Sequence, residues 1–247
     1  QTFSNVSEVT FFSPNSKDPA GGQYMLTTGE GKAKLWNKTG QLIQALKADN
    51  TITAAGFSAD GQRLSTQGEQ QAQLWDSSGQ LIKTFGNPEN SAGLAAKFSP
   101  DGQQILTLGR NELQLWDAQG HLIKTLQSST SKTDAVFSPD GQRILTYGDS
   151  TVSLWTKNGQ MLRVLESGAG LNIPIFSPNS AYILTSWGRD RTVFNEQTNP
   201  DVKLWDKNGQ LIKQFDAGTS GIYEITFSPD GQSILGSSYD GIDRLWN

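Results

Sequence analysis

Phe137-Ser138-Pro139-Asp140-Gly141-Gln142 leads into Ile144-Leu145-Thr146, a short polar turn, Val152-Ser153-Leu154-Trp155, a second turn closing on Gly159, and an apolar run that ends at Leu165. The same series of features returns along the chain at intervals of roughly 40 residues, the mark of a repeat architecture. Its clearest member is the Leu-Trp pair, present at Leu35-Trp36, Leu74-Trp75, Leu115-Trp116, Leu154-Trp155, Leu204-Trp205 and Leu245-Trp246. Six of the seven tryptophans therefore occupy one equivalent position. A residue that recurs in this way is a structural residue before it is anything else.

Each repeat divides into four short runs, strands a to d, separated by turn chemistry. Between a and b stand Ser99-Pro100-Asp101-Gly102, Ser138-Pro139-Asp140-Gly141 and Ser228-Pro229-Asp230-Gly231. Pro fixes φ, Asp bonds back to the backbone, and Gly is free to take positive φ. Ser58-Ala59-Asp60-Gly61 loses the Pro, and Ser177-Pro178-Asn179-Ser180 loses the Gly. Strand c closes on Leu-Trp, whose two side chains point to opposite faces of a sheet. A large apolar residue on each face implies that neighbouring sheets cover both. Strand d, as in Gln80-Leu81-Ile82-Lys83, carries lysines suited to an outer edge kept soluble by charge.

The 26 glycines and a charged fraction of only 18% suit many tight turns between short strands. A net charge of −4 and a pI near 5.0 disfavour a phosphate-binding surface, so no nucleic-acid partner is expected. No apolar run reaches the length of a membrane-spanning helix, and none of the 247 residues is a cysteine. Disulfides and thiolate metal ligands are thereby excluded.

These residues resemble the WD40-repeat family, and the resemblance covers essentially the whole chain. Trp75-Asp76, Trp116-Asp117 and Trp205-Asp206 match the family's Trp-Asp dipeptide, whereas Asn37, Thr156 and Asn247 stand in its Asp position elsewhere. The Gly-His pair of many members is missing: the single histidine, His121, stands at the start of a strand d. The full His-centred network of such members therefore cannot form. The resemblance implies an all-β chain, a six-bladed β-propeller of four-stranded antiparallel blades, with residues 1–247 forming one domain that is part of a larger protein. The chain stops just after a strand c, and Gln1-Thr2-Phe3 matches Lys83-Thr84-Phe85 of a strand d. Pairing of the two ends is expected to complete the last blade. The small residues Ala54-Ala55-Gly56 and Ala95-Ala96 suit a narrow central channel.

Two insertions break the period, Lys17 to Gly22 in an a–b turn and Arg189 to Pro200 in a b–c connection. In WD40 proteins the end bearing b–c and d–a loops is a frequent partner-binding face, which the resemblance implies here. The second insertion follows Trp187, the one tryptophan outside the repeat, and brings Arg189, Asp190, Arg191 and Phe194. Trp, Arg and Phe are types that dominate binding hot spots. Other b–c turns add Glu30, Lys32, Glu69, Arg110, Glu112, Asp149, Tyr239 and Asp240. The candidate binding residues are thus Trp187, Arg189, Asp190, Arg191, Phe194, Arg110, Tyr239 and Asp240. A solvated loop packed on its own blade explains the same residues without a partner.

Chemistry is poorly represented. One histidine and no cysteine leave no nucleophile–base constellation. Oxygens around Asp190, Asn195, Glu196 and Asp201 match no defined calcium loop. The expectation is a monomeric, non-catalytic scaffold or sensor without cofactor or metal, binding a protein partner or a neighbouring domain. The alternative is a carbohydrate-active hydrolase or lyase with paired carboxylates at the channel mouth.

Overall fold

The computed structural model describes residues 8–12, 24–46, 51–68, 71–86, 95–108, 113–126, 134–148, 151–167, 173–186, 201–217 and 221–247. They form two compact units, Gln1–Gln127 and Ser128–Asn247. Every described element is a β-strand, and every sheet is an antiparallel meander with strands in chain order.

The first unit holds three four-stranded sheets. The first sheet is β1 (Glu8–Phe12), β2 (Tyr24–Gly29), β3 (Lys32–Asn37) and β4 (Leu42–Leu46). The second is β5 (Ile52–Phe57), β6 (Arg63–Gly68), β7 (Ala72–Asp76) and β8 (Leu81–Phe85), and the third is β9 (Ala95–Phe98), β10 (Gln104–Leu108), β11 (Leu113–Asp117) and β12 (Leu122–Leu126). In the second unit the fourth sheet is β13 (Asp134–Phe137), β14 (Arg143–Tyr147), β15 (Thr151–Thr156) and β16 (Met161–Ser167). The fifth is β17 (Ile175–Phe176), β18 (Tyr182–Ser186), β19 (Asp201–Asp206) and β20 (Leu211–Asp216). The sixth has three strands among the described residues, β21 (Ile222–Phe227), β22 (Ile234–Ser238) and β23 (Asp243–Trp246). The strand expected from Gln1-Thr2-Phe3 lies outside the described residues.

The a–b turn is one hydrogen-bonded unit used five times. The Ser hydroxyl donates to the Asp or Asn two residues on, at Ser58–Asp60, Ser99–Asp101, Ser138–Asp140, Ser177–Asn179 and Ser228–Asp230. That side chain accepts the backbone N–H two residues further, and the Ser oxygen accepts the N–H five residues on, as in Arg143 to Ser138 at 2.9 Å. The residue after the acid sits at positive φ. It is glycine in four turns, and in the fifth Ser180 is held at φ 60°. The sequence loses the glycine there but keeps the conformation. Ser180 Oγ accepts the N–H of Asp140 from the neighbouring turn at 3.0 Å, a bond that glycine lacks.

The c–d turn explains the Trp-Asp dipeptide in the same local terms. Oδ1 of Asp76, Asp117 and Asp206 each accepts two backbone N–H groups, two and four residues on. Asn37 does the same, and Thr156 retains one such bond. Because an amide oxygen replaces a carboxylate oxygen without loss of either bond, the departure at Asn37 is conservative. The third and fourth strands then shift register between Leu and Trp in all five complete sheets, a bulge that starts strand d.

Within each unit the leucine face of one sheet packs on the tryptophan face of the next. Leu26, Ala33 and Leu35 meet Ile52, Leu64 and Trp75, and Ala72, Leu74 and Phe85 meet Ala96, Ile105 and Trp116. In the second unit Leu145, Val152 and Leu154 meet Ile183 and Trp205, and Leu184 and Val202 meet Ile222, Phe227 and Trp246. Each fully buried Leu contributes about 1.5–3 kcal/mol by transfer from water. Trp75, Trp155 and Trp205 are buried as expected, while Trp36, Trp116 and Trp246 are half-buried, a correction to the expectation that all six are enclosed. The second correction is Leu245. It is 66% exposed, whereas Leu35, Leu74, Leu115 and Leu154 are buried and Leu204 is half-buried.

Tryptophan also keeps part of a polar network. Its Nε1–H donates to a threonine on strand b in five sheets, at 2.9–3.0 Å: Trp36 to Thr27, Trp75 to Thr66, Trp116 to Thr107, Trp155 to Thr146 and Trp205 to Thr185. In the sixth sheet Gly236 takes the threonine's place, and a Cβ there would lie 2.8 Å from the Trp246 ring. At Thr185 the chain of bonds goes on. Its hydroxyl donates to Glu166 at 3.1 Å, and Lys203 pairs with the same carboxylate at 3.0 Å.

Candidate functional site at the b–c end of the last sheet

In the second unit, the end of the sixth sheet that carries its b–c turn is held by backbone chemistry. Gly241 adopts φ 80°, its N–H donates to the Ser238 carbonyl, and the Ile242 N–H donates to Asp240 Oδ1 at 2.9 Å. The turn is tied to the d–a connection through one carbonyl, that of Gly221. It accepts the Ser238 hydroxyl at 2.7 Å and the Tyr239 N–H at 3.1 Å. Arg244 clamps the turn from strand c, donating to both Asp240 oxygens at 2.8 and 3.3 Å. These bonds from Arg244, with the N–H of Ile242, hold the Asp240 carboxyl down at about 2 against the opposing effect of burial.

The anchored turn presents aromatic surface. Tyr223 and Tyr239 are 53% and 46% exposed, and their rings lie 5.2 Å apart at a tilt of 59°. Ile242 is exposed beside Asp240 in the chain. Tyr239 and Asp240 are the two expected binding residues that fall among the described residues. Trp187, Arg189, Asp190, Arg191, Phe194 and Arg110 lie outside them, as do Glu69, Glu112 and Asp149. In the first unit Glu30 and Lys32 are exposed on the turn between β2 and β3, where Glu30 and Gly31 both take positive φ.

Tyr223 escapes the sequence pattern, because it stands in the irregular pairing between Ile222 and Glu224 that removes it from the strand alternation. A second tyrosine close to a d–a boundary was the only available signal.

Several other described carboxylates are engaged within the fold. Asp101, Asp140 and Asp230 serve the a–b turns as expected, and Asp134 accepts the Tyr147 hydroxyl at 3.0 Å. Burial, with the Asp134 charge, pushes the Tyr147 phenol well above its ordinary range. His121 bonds Asp117 at 3.0 Å on an exposed turn. Among the described residues no group of three or more His, Cys, Asp or Glu is arranged to hold a metal. No described helix is long and apolar enough to cross a membrane.

Four-stranded meanders stacked Leu face on Trp face, with an Asp turn after three of the Trp residues, define an all-β repeat of antiparallel sheets. A family model described as "WD domain, G-beta repeat" matches residues 120–156 and 209–247, and these matches support the WD40-repeat family for this chain. Each matched span runs from a c–d turn through strand d and then strands a, b and c of the following sheet. No curated protein matches the chain. WD40 repeats generally mediate protein–protein interaction.

Proposed function

We propose that this chain is a non-catalytic protein-interaction module, a propeller-type scaffold or sensor whose partner binds at the end carrying the b–c turns and d–a connections. The observation that carries the reading is the exposed Tyr223–Tyr239 pair, seated on a turn fixed by Gly221, Ser238 and the Arg244–Asp240 clamp. Tyrosines held in advance of binding lose little conformational freedom on association, which is why they recur as binding anchors. Ile242, Asp240 and Arg244 complete the surface. Trp187, Arg189, Asp190, Arg191 and Phe194 belong to the b–c connection of the fifth sheet by their place between β18 and β19, and Arg110 has the corresponding place in the third. The carboxylates engaged in turns and ion pairs lend no support to the hydrolase alternative.

The test compares the wild-type chain with Tyr223→Ala/Tyr239→Ala and with Trp187→Ala/Phe194→Ala. A partner captured by the wild type and then purified should bind either double variant at least tenfold more weakly by calorimetry, with the melting transition nearly unchanged for the tyrosine pair. Equal affinity for the tyrosine variant would remove the basis of the proposal.

A further inference from the structure

The tetrapeptide Lys-Asn-Gly-Gln occurs twice, as Lys157-Asn158-Gly159-Gln160 and as Lys207-Asn208-Gly209-Gln210, and each copy lies in a c–d turn of the second unit. An asparagine followed by glycine is the pair in which the backbone attacks the side chain most readily, because glycine has no side chain to obstruct its own nitrogen. In both turns the asparagine is exposed and the glycine takes positive φ, 76° at Gly159 and 80° at Gly209. Each glycine N–H donates at 2.9 Å to the carbonyl of the residue that opens the turn, Thr156 or Asp206. The same reactive pair is thus set twice in one backbone geometry, and what differs is how firmly each turn is held closed.

That difference begins at the residue before the tetrapeptide. Asp206 Oδ1 accepts the N–H groups of Asn208 and Gln210, both at 2.8 Å, so a carboxylate grips the turn on either side of the glycine. From strand b of the fourth sheet, Arg143 adds two donors, Nε to the Lys207 carbonyl at 3.3 Å and a guanidinium N–H to Asn208 Oδ1 at 3.4 Å. Thr156 opens the other turn with a hydroxyl that accepts a single N–H, that of Gln160, at 3.2 Å. The Lys157 N–H is held by the Gln142 carbonyl at 3.0 Å. Among the described residues nothing accepts the Asn158 N–H or bonds its side-chain amide.

We propose that Asn158 is a site of spontaneous deamidation left open by Thr156, whereas Asn208, with the same neighbours on either side, is protected by its turn. Cyclisation requires the Gly159 nitrogen to leave the Thr156 carbonyl and reach Asn158 Cγ, so its rate follows how often the turn opens. Hydroxide from solvent takes the Gly159 N–H proton, the nitrogen bonds to Cγ, and the Cγ–Nδ2 bond breaks to release ammonia. Water then opens the cyclic imide at either carbonyl. The product is aspartate or, with the main chain routed through the side chain, isoaspartate at position 158. It adds a negative charge at the c–d end of the fourth sheet, the end opposite the b–c turns, so the inference is independent of the tyrosine pair.

The test incubates the full chain at mildly alkaline pH and follows both sites by mass spectrometry of chymotryptic peptides, with electron-transfer fragmentation separating isoaspartate from aspartate. In the folded chain Asn158 should convert about tenfold faster than Asn208, the ratio expected when one charge-assisted hydrogen bond fewer holds a turn closed. In urea the two sites should convert at equal rates. Thr156→Asp should slow Asn158 to the rate of Asn208, and Asp206→Thr should speed Asn208 toward that of Asn158. If Asp206→Thr fails to fold, Thr156→Asp decides alone, since it installs the residue that Asp76, Asp117 and Asp206 already supply in their own turns. The proposal is overturned by equal rates in the folded chain, by a faster Asn208, by no conversion at either site while folded, or by a ratio that persists in urea. A Thr156→Asp variant that converts as fast as the wild type also overturns it.

Discussion

Replacing Lys203 by Met removes a cation and keeps most of its apolar stem, so it isolates the charge that holds the fourth sheet to the fifth. Lys203 Nζ lies 3.0 and 3.1 Å from the two Glu166 oxygens, Thr185 Oγ1 donates to the same carboxylate, and Trp205 donates to Thr185 in turn. The Glu166 side chain is only 6% exposed, whereas that of Lys203 is 21% exposed. Removing one partner of a fully buried pair costs about 3–5 kcal/mol, chiefly because a charge is left buried without compensation. Here Lys203 reaches solvent and Thr185 remains, so the expected loss for Lys203→Met is about 2–3 kcal/mol. Glu166→Leu should cost less, about 1–2 kcal/mol, because the lysine left behind can extend into water. The double variant Glu166→Leu/Lys203→Met should lie within about 1 kcal/mol of the wild type, giving a coupling of at least about 2 kcal/mol between the two sites. Urea unfolding followed by far-ultraviolet circular dichroism measures all four proteins. A coupling near zero, or a Lys203→Met variant as stable as the wild type, would refute the argument that the buried carboxylate depends on its partner.

Trp155→Ala should cost about 3–5 kcal/mol, while Trp155→Phe, which keeps the ring and loses the bond to Thr146, should cost about 1–2 kcal/mol by the same unfolding measurement. At Ser180, Ala keeps the left-handed strain and loses the bond from Asp140, for a loss of about 1–2 kcal/mol; Gly relieves the strain and loses the same bond, so its net change should be under about 1 kcal/mol. Burial opposes ionisation of Asp76, but hydrogen bonds from Ser78 and Gln80 outweigh it and lower its pKa on folding. A depressed folded pKa gives stability that is present above the ordinary aspartate value of about 4 and is lost as pH falls through the folded value. Asp76→Asn should therefore match the wild type near neutral pH, as Asn37 does in its own turn, and lose less stability between pH 5 and pH 2 in urea titrations at each pH.

Most of the strand order was legible because its signals are local. Pro-Asp-Gly and Trp-Asp turns are closed by side chains within five residues, so composition alone reports them. The threonine that receives each tryptophan N–H is legible in principle, standing nine residues before Trp36, Trp75, Trp116 and Trp155, and this bond persists in a chain that lacks the Gly-His pair. Ser180 misleads by composition. A backbone bond from the next turn holds it where glycine is the rule. Glu166 and Lys203 gave no sequence signal, since nothing periodic says that a strand d residue meets strand c of the following sheet. Of the expected binding residues only Tyr239 and Asp240 lie among the described ones, and Tyr223 became visible only through ring proximity.

The offset between the repeating unit of sequence and the hydrogen-bonded sheet has a consequence for how such a chain changes length. The family matches begin at a c–d turn and end at a Leu-Trp, so each spans the last strand of one sheet and the first three of the next. Duplication or loss of such a segment exchanges one fourth strand for another of the same Leu-Ile-Lys character and leaves every interrupted sheet with its full complement of strands. The seam between genetic copies thus falls in the middle of a folded layer rather than at its border. Whole layers can be gained or lost this way without exposing a raw edge at the splice, and each copy is bound into its neighbour by main-chain hydrogen bonds from the moment it is acquired.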